Sequence, residues 1–223
     1  MASSTSASPL QVCRDCGARA PVEAHFCPQC SKILPLGRQG DYFAFLGLPR
    51  KLNLDSADLE RRFRDLSRQF HPDYFYNATP AERRASLERS SYLNDAYRTL
   101  KSPIARLEYL LKVEGLAAKG PEEASRQVPP SLLEEVFALN EELDEIRELR
   151  SGGAPRDAIA ARLERARQPI EQKRDDHERD LKALAAKWDT AGDRQILEAL
   201  RDLFLERNYI SNLLESIERE LSA

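Results

Sequence analysis

All four cysteines of this chain fall within its first thirty residues, as Cys13-x-x-Cys16 and Cys27-x-x-Cys30 with ten residues between the pairs. Each pair is a short hook that supplies two sulfur ligands, and a loop of that length lets the hooks face each other around one tetrahedral ion. Gly17 and Ser31 follow the hooks, small residues where the backbone must turn tightly around sulfur. So short a segment buries little apolar surface, and the metal has to supply its folding energy, roughly 10–16 kcal/mol in comparable modules. The expected occupant is a structural zinc held by Cys13, Cys16, Cys27 and Cys30, with iron, as in a rubredoxin-like carrier, as the alternative. Four thiolates leave no open coordination position, which argues against a hydrolytic metal. His25, in the loop between the hooks, is expected to stand by rather than ligate. Disulfides are the competing use of the cysteines. They are disfavoured because Met1 to Leu10 has neither the basic nor the apolar region of an export signal, so a reducing, cytoplasmic setting is expected.

The rest of the chain reads as helix. Charged residues make up 32% of the 223 and glycine occurs only nine times, while alternating β-branched runs with turn dipeptides are scarce, so a β-sandwich or barrel lacks its material. The formal net charge of -3 excludes a global positive field, so no nucleic-acid partner is expected. No stretch approaches the roughly 18 apolar residues of a membrane span.

From Asp41 to Leu48 an apolar run of helical length is closed by Gly47 and Pro49. Asp55 offers an N-cap to a second helix whose apolar residues Leu59, Phe63, Leu66 and Phe70 are spaced four, three and four. Arg61, Arg62, Arg64 and Arg68 occupy its other side against only Asp65 after position 60, an expected basic surface. Pro72 ends that helix at His71. Thr79-Pro80 with Glu82 starts the next, with Ser86, Ser90, Leu93, Tyr97 and Leu100 as its inward row. The two long helices make a hairpin whose loop presents His71-Pro72-Asp73.

These residues resemble the J domain of DnaJ-type co-chaperones. Asp41-Tyr-Phe, Leu46-Gly-Leu-Pro49, Phe70-His-Pro-Asp73, Asn94-Asp-Ala-Tyr97 and Arg106-Leu-Glu-Tyr-Leu-Leu111 are more particularly similar to the HscB-type co-chaperones of iron–sulfur cluster biogenesis, some of which carry a cysteine extension. The resemblance implies no enzymatic chemistry in the chain itself. It implies stimulation of the ATPase of a DnaK/HscA-type chaperone, with Asp73 engaging an arginine there, His71 and Pro72 shaping the loop, and Arg61, Arg62, Arg64 and Arg68 meeting an acidic surface. A general J-domain co-chaperone for another client, or a metal-dependent redox or nucleic-acid module with a J-like tail, are the rival readings. A homo-oligomer is left open.

After a polar, proline-punctuated stretch, three helical segments near 131–150, 155–189 and 193–221 are joined by short connections, which implies an antiparallel three-helix bundle. Expected seams are Leu132, Val136, Leu139, Leu143 and Ile146; Ile159, Leu163, Ala166, Ile170, Leu181, Leu184 and Trp188; and Ile196, Leu200, Leu203, Ile210, Leu214, Ile217 and Leu221. Pro169 should kink the middle helix, and His177 on its seam is expected as a hydrogen-bonded boundary residue. Leu133 and Phe137 sit one residue past seam positions and continue into Glu141 and Glu145. That row is either a docking patch or a wider core stripe. By the HscB resemblance it grips an IscU-type scaffold protein, with Tyr209, or Phe204 in its place, as a further wall. Glu134 and Ala138 depart from the family's pattern. The organisation expected is thus all-α: a tail over 1–10, a zinc-knuckle module over 11–36, a J domain over 41–116, a linker over 117–130 and a scaffold-binding bundle over 131–223.

Overall fold

Capping chemistry and prolines set where the helices begin in the computed structural model, which describes residues 10–36, 41–117 and 130–222. Seven α-helices occur among these residues: α1 (Tyr42–Phe45), α2 (Ser56–Phe70), α3 (Pro80–Lys101), α4 (Pro103–Val113), α5 (Leu133–Ser151), α6 (Arg156–Ala191) and α7 (Arg194–Ser222). The expected tail and linker lie outside the described residues except at Leu10, Ala117 and Pro130. The chain forms two compact units that divide between Leu110 and Leu111.

In the first unit, Leu10–Val12 (β1) pairs antiparallel with Arg19–Pro21 (β2), a small sheet that the all-helical reading omits. It forms because the first cysteine hook is itself the turn of a hairpin, closed by the Cys13 amide donating to the Ala18 carbonyl at 2.8 Å. Asp41 caps α1 by accepting from the Ala44 amide at 2.8 Å. The chain turns away at Gly47, whose φ of +65° suits glycine. The Arg62 guanidinium donates to the Leu46 and Gly47 carbonyls there at 3.2 and 2.7 Å. Asp55 caps α2, and Thr79 with Glu82 forms a capping box on α3, where Pro80 fills the first turn. Phe63 and Tyr97 stack across the α2–α3 hairpin with ring centroids 4.1 Å apart. The inward side of α3 comprises Ala85, Ser86, Arg89, Leu93, Ala96 and Leu100. Ser90 and Tyr97 are only half-buried, and a fully buried arginine joins the row that sequence periodicity assigned to serines and apolar residues.

The second unit contains the bundle. Val136, Leu139, Leu143 and Ile146 of α5, with Leu132 just before it, meet Ile159, Leu163 and Ile170 of α6 and Ile210, Leu213 and Ile217 of α7 in one core. Gly152-Gly153 and Gly192 provide the turns; Gly192, at φ +63°, ends α6 by donating to the Trp188 carbonyl at 2.8 Å. Helix α6 runs unbroken through Pro169. The seam of α7 differs from expectation. Leu197, Leu200, Phe204, Ile210, Leu213 and Ile217 are buried, whereas Ile196, Leu203 and Leu214 are half-buried and Leu221 is exposed. A heptad seam drifts about 20° per repeat around a 3.6-residue helix, so over 29 residues the buried stripe leaves it. Phe204 is therefore buried.

Candidate functional site

The four sulfurs lie within 4.8 Å of one another, with Cys13 and Cys30 3.6 Å apart and Cys16 and Cys27 likewise 3.6 Å apart. A tetrahedron of sulfurs at the zinc–sulfur distance of about 2.3 Å has edges near 3.8 Å, so the cluster has the size of a four-thiolate centre. Each hook closes on itself: Gly17 donates to the Cys13 carbonyl and Ser31 to the Cys27 carbonyl, both at 2.9 Å. Gly17 and Ser31 adopt φ of +75° and +58°. Amides of Cys30 and Gln29 hydrogen-bond the Cys27 sulfur and pull its thiol down to about 6. Cys30, although the Lys32 amide bonds it, is pushed up to about 12 by desolvation and by the three thiols around it. Backbone amides thus favour the Cys27 thiolate while desolvation and the neighbouring thiols disfavour that of Cys30, and a bound cation favours both thiolates. The donor set fits a metal ion.

His25 is no ligand. Its ring packs edge-on against Phe45 and Phe70, with centroids 4.8 and 5.0 Å away. Arg89 of α3 approaches its Nδ1 to 2.7 Å, and because a guanidinium only donates, Nδ1 accepts. Nε2 then carries the proton and donates to the Phe45 carbonyl at 3.1 Å. Burial and the charge of Arg89 lower His25 to about 4, which keeps the ring neutral.

At the hairpin apex, Pro72–Phe75 form a single 3-10 turn. The Asp73 amide donates to His71 Nδ1 at 3.3 Å, so His71 caps the turn as Pro72 sets its entry. The Asp73 side chain is 87% exposed, with His71 Nδ1 at 3.5 Å as its neighbour. Tyr74 and Tyr76 are also exposed. On α2, Arg61, Arg64 and Arg68 lie within 60° of one another at 100° per residue and are exposed. Arg62 points elsewhere, to the end of α1. The face is also less positive than the local sequence suggests. Arg61 and Arg62 both pair with Asp58, Arg64 with Glu60 and Arg68 with Asp65.

On α5, Leu132 is fully buried while its neighbour Leu133 is 40% exposed and Phe137 70% exposed. Leu133 and Phe137 are therefore not part of the core stripe. Glu141 is exposed, whereas Glu145 is engaged by Arg162 of α6, which also donates to Glu142 at 3.0 Å. Tyr209 packs half-buried against the bundle core. Ala138 opens a groove between α5 and α6 walled by Glu142, Arg162 and Ile170. His177 is buried on the α6 seam, its rings' nitrogens bonded to the Lys173 carbonyl at 3.0 Å and to Glu206 at 2.6 Å.

The chain is 37% identical over 154 residues to the co-chaperone protein HscB homologs of two Vibrio vulnificus strains, covering 69% of this chain and 86% of theirs. The chain belongs to the HscB co-chaperone family. Among solved structures, that of human co-chaperone protein HscB matches with a TM-score of 0.66 and 27% identity over 94% of this chain and 98% of that one. The chaperone HscB from Vibrio cholerae matches with a TM-score of 0.61 and 27% identity over 82% and 98%. No protein-family model matches the chain. Because the human HscB match leaves only 6% of this chain uncovered, it takes in part of the cysteine module as well as the helices. No described helix of the chain is long and apolar enough to cross a membrane.

The residue that sequence reasoning missed is Arg89. Its signal was present: Ser86, Arg89, Leu93, Ala96 and Leu100 are spaced three, four, three and four, which places an arginine on a buried stripe.

Proposed function

We propose that this protein stimulates ATP hydrolysis by a DnaK/HscA-type chaperone and brings an IscU-type scaffold to it, assisting cluster assembly or transfer. The observation that carries the first half is the Asp73 carboxylate, exposed at the apex of the α2–α3 hairpin and bound to no other element among the described residues. An aspartate so placed can form a charge-assisted pair with an arginine of the chaperone and favour its hydrolysis-competent state. Arg61, Arg64 and Arg68 on the adjacent face of α2 contribute long-range attraction to an acidic ATPase surface, each able to exchange its own-helix carboxylate for a partner's. His71 and Pro72 hold the turn. The chemistry belongs to the chaperone; this chain supplies the trigger.

The scaffold half rests on Leu133 and Phe137, apolar side chains left on the solvent side of α5, with Glu141 beside them as a polar rim. Tyr209 and Glu145 are secondary, since the first leans on the bundle core and the second is held by Arg162. Zinc is the proposed metal of Cys13, Cys16, Cys27 and Cys30, a structural ion in a closed site, and a reducing, cytoplasmic setting would keep the four thiols available to it. Two contacts on one chain raise the effective concentration of scaffold at the chaperone.

Steady-state ATPase assays of the chaperone, with and without this protein and the scaffold, test the reading. Asp73→Asn should abolish stimulation with scaffold binding intact, and Leu133→Ala with Phe137→Ala should lose scaffold binding while stimulation by the protein alone survives. Wild-type behaviour of both variants would refute it.

A further inference from the structure

Arg89 is 1% exposed, and among the described residues its hydrogen-bond partners are carbonyls and a histidine, with no carboxylate. A guanidinium placed there is costly, and burial alone lowers it to about 10. What offsets the cost is a fan of acceptors from one source, the cysteine module. Nε donates to the Leu34 carbonyl at 2.8 Å, Nη2 to the Ala24 and Pro35 carbonyls at 3.2 and 3.1 Å, and Nη1 to His25 Nδ1 at 2.7 Å. Its guanidinium carbon also lies 5.9 and 5.7 Å from the ring centres of Phe45 and Phe70. Those acceptors flank the second hook. The segment that carries them is tied together by Leu34 donating to the His25 carbonyl at 3.0 Å and Cys27 to the Lys32 carbonyl at 2.8 Å, around the two sulfurs Cys27 and Cys30.

The same turn of α3 holds the end of α2. Ser86 and Ser90, three residues before Arg89 and one after it, donate to the Phe70 carbonyl at 2.7 and 3.0 Å. The Phe70 ring contacts His25 and Phe26 of the module at 5.0 and 6.0 Å. Phe70 is the last residue of α2, and His71-Pro72-Asp73 follows directly. One buried turn therefore joins the knuckle of the thiolate centre to the backbone from which the loop departs.

We propose that Arg89 is a positioning residue that, through His25 and the Ala24, Leu34 and Pro35 carbonyls, clamps the cysteine module onto the Phe70 end of α2. A filled metal centre then fixes the exit geometry of the His71-Pro72-Asp73 loop. The functional consequence rests on the co-chaperone reading given above; the structural coupling does not. Lysine cannot substitute, since one ammonium lacks the planar fork that reaches four acceptors. Filled, the four-thiolate site is negatively charged and adds electrostatic support for the buried cation.

The test uses the full chain, zinc-loaded and chelator-stripped, with two readouts. Amide resonances of Phe70, His71, Asp73 and Tyr74 report the loop directly, and the concentration giving half-maximal ATPase stimulation reports its consequence. In wild type, stripping zinc should shift those resonances and raise the half-maximal concentration about five-fold or more, with the maximum stimulation retained. In Arg89→Leu the zinc-loaded protein, its four-thiolate site verified by cobalt substitution spectra, should already show stripped-like loop resonances and respond little to further stripping. Arg89→Lys should not restore the wild-type response. If Arg89→Leu fails to fold, the wild-type pair and His25→Phe, which removes the Nδ1 acceptor, decide the same question. Loop resonances unmoved by zinc removal in wild type, or an Arg89→Leu response equal to wild type, would overturn the coupling. Shifted resonances with no ATPase effect in any variant, Asp73→Asn included, would instead count against the co-chaperone reading.

Discussion

The Phe70 carbonyl offers a quantitative check on how the hairpin is held. A helix ends with carbonyls that have no intrahelical donor, and here Pro72 and the 3-10 turn take away the usual substitute: the Tyr74 amide donates to His71, at 3.0 Å, and not to Phe70. Two hydroxyls replace it, Ser86 at 2.7 Å in a fully buried position and Ser90 at 3.0 Å in a half-buried one. Replacing either serine by alanine removes one hydrogen bond but leaves the carbonyl satisfied, a loss of about 0.5–1 kcal/mol. Replacing both orphans a buried acceptor, which adds its desolvation penalty of about 1–3 kcal/mol. The double variant should therefore exceed the sum of the singles by about 1 kcal/mol or more, a coupling that a mutant cycle isolates. The only tryptophan, Trp188, lies in the second unit, so its fluorescence is the wrong probe. Hydrogen exchange of the Leu93 and Ala96 amides in α3 reads the first unit directly. Singles should accelerate exchange about two- to five-fold and the double variant roughly thirty-fold or more, at tenfold per 1.4 kcal/mol. A double-variant acceleration no larger than the product of the singles would show that the two hydroxyls do not share this acceptor.

Arg62→Gln should destabilise the first unit by about 1–2 kcal/mol, because it releases the Leu46 and Gly47 carbonyls, while Arg64→Gln should stay within about 0.5 kcal/mol and instead weaken chaperone binding and its salt dependence; urea unfolding and titration at two ionic strengths separate the two. Phe137→Ser should weaken scaffold affinity about ten-fold or more, as expected for losing most of a buried aromatic contact, with bundle melting unchanged because the side chain is already 70% exposed. A bundle Tm lowered by several degrees would return Phe137 to the core. Chelation of the metal should abolish the β1–β2 and knuckle hydrogen bonds, seen as lost amide protection over residues 10–36, and leave Trp188-monitored melting of the bundle in place.

Local chemistry was readable in advance wherever it acts within a turn or two. Asp55, Thr79 with Glu82, Pro72 and Gly192 mark helix limits through contacts with their own neighbours, and the cysteine hooks carry their spacing in the chain. The one-residue offset of Leu133 and Phe137 from the seam left a docking patch and a wider core stripe both open, and their exposure decides against the stripe. Reading failed where the partner is remote. The acceptors of Arg89 lie 54 to 65 residues earlier, so an arginine on a buried stripe was visible only as an anomaly without a cause. Glu145 looked free because its partner Arg162 is on the next helix, and Arg62 looked like part of the basic face because the end of α1 lies fifteen and sixteen residues back. The sheet escaped notice because three-residue strands carry almost no alternation.

Pairs of like residues show what separates a working group from a structural one in this fold. Asp41 and Asp73 are both aspartates at the start of a helical turn. Asp41 is 5% exposed, caps α1 and pairs with Arg50, so its carboxylate is consumed internally. Asp73, among the described residues, meets only His71, two positions before it, and the turn it lies in is already capped by His71 Nδ1. Removing the Asp73 carboxylate should therefore cost the fold almost nothing, and any large effect of that substitution has to be felt by another molecule. Leu132 and Leu133, or Phe204 and Phe137, divide in the same way, the first of each pair filling the core and the second left in water at a hydrophobic cost that folding does not recover. Arg89 belongs to the opposite class: a buried group whose removal should be felt first inside the protein, at Phe70 and the loop beyond it. Variants of Asp73 and Phe137 should thus leave stability alone and alter binding, whereas variants of Arg89 should alter loop geometry before either binding or function changes.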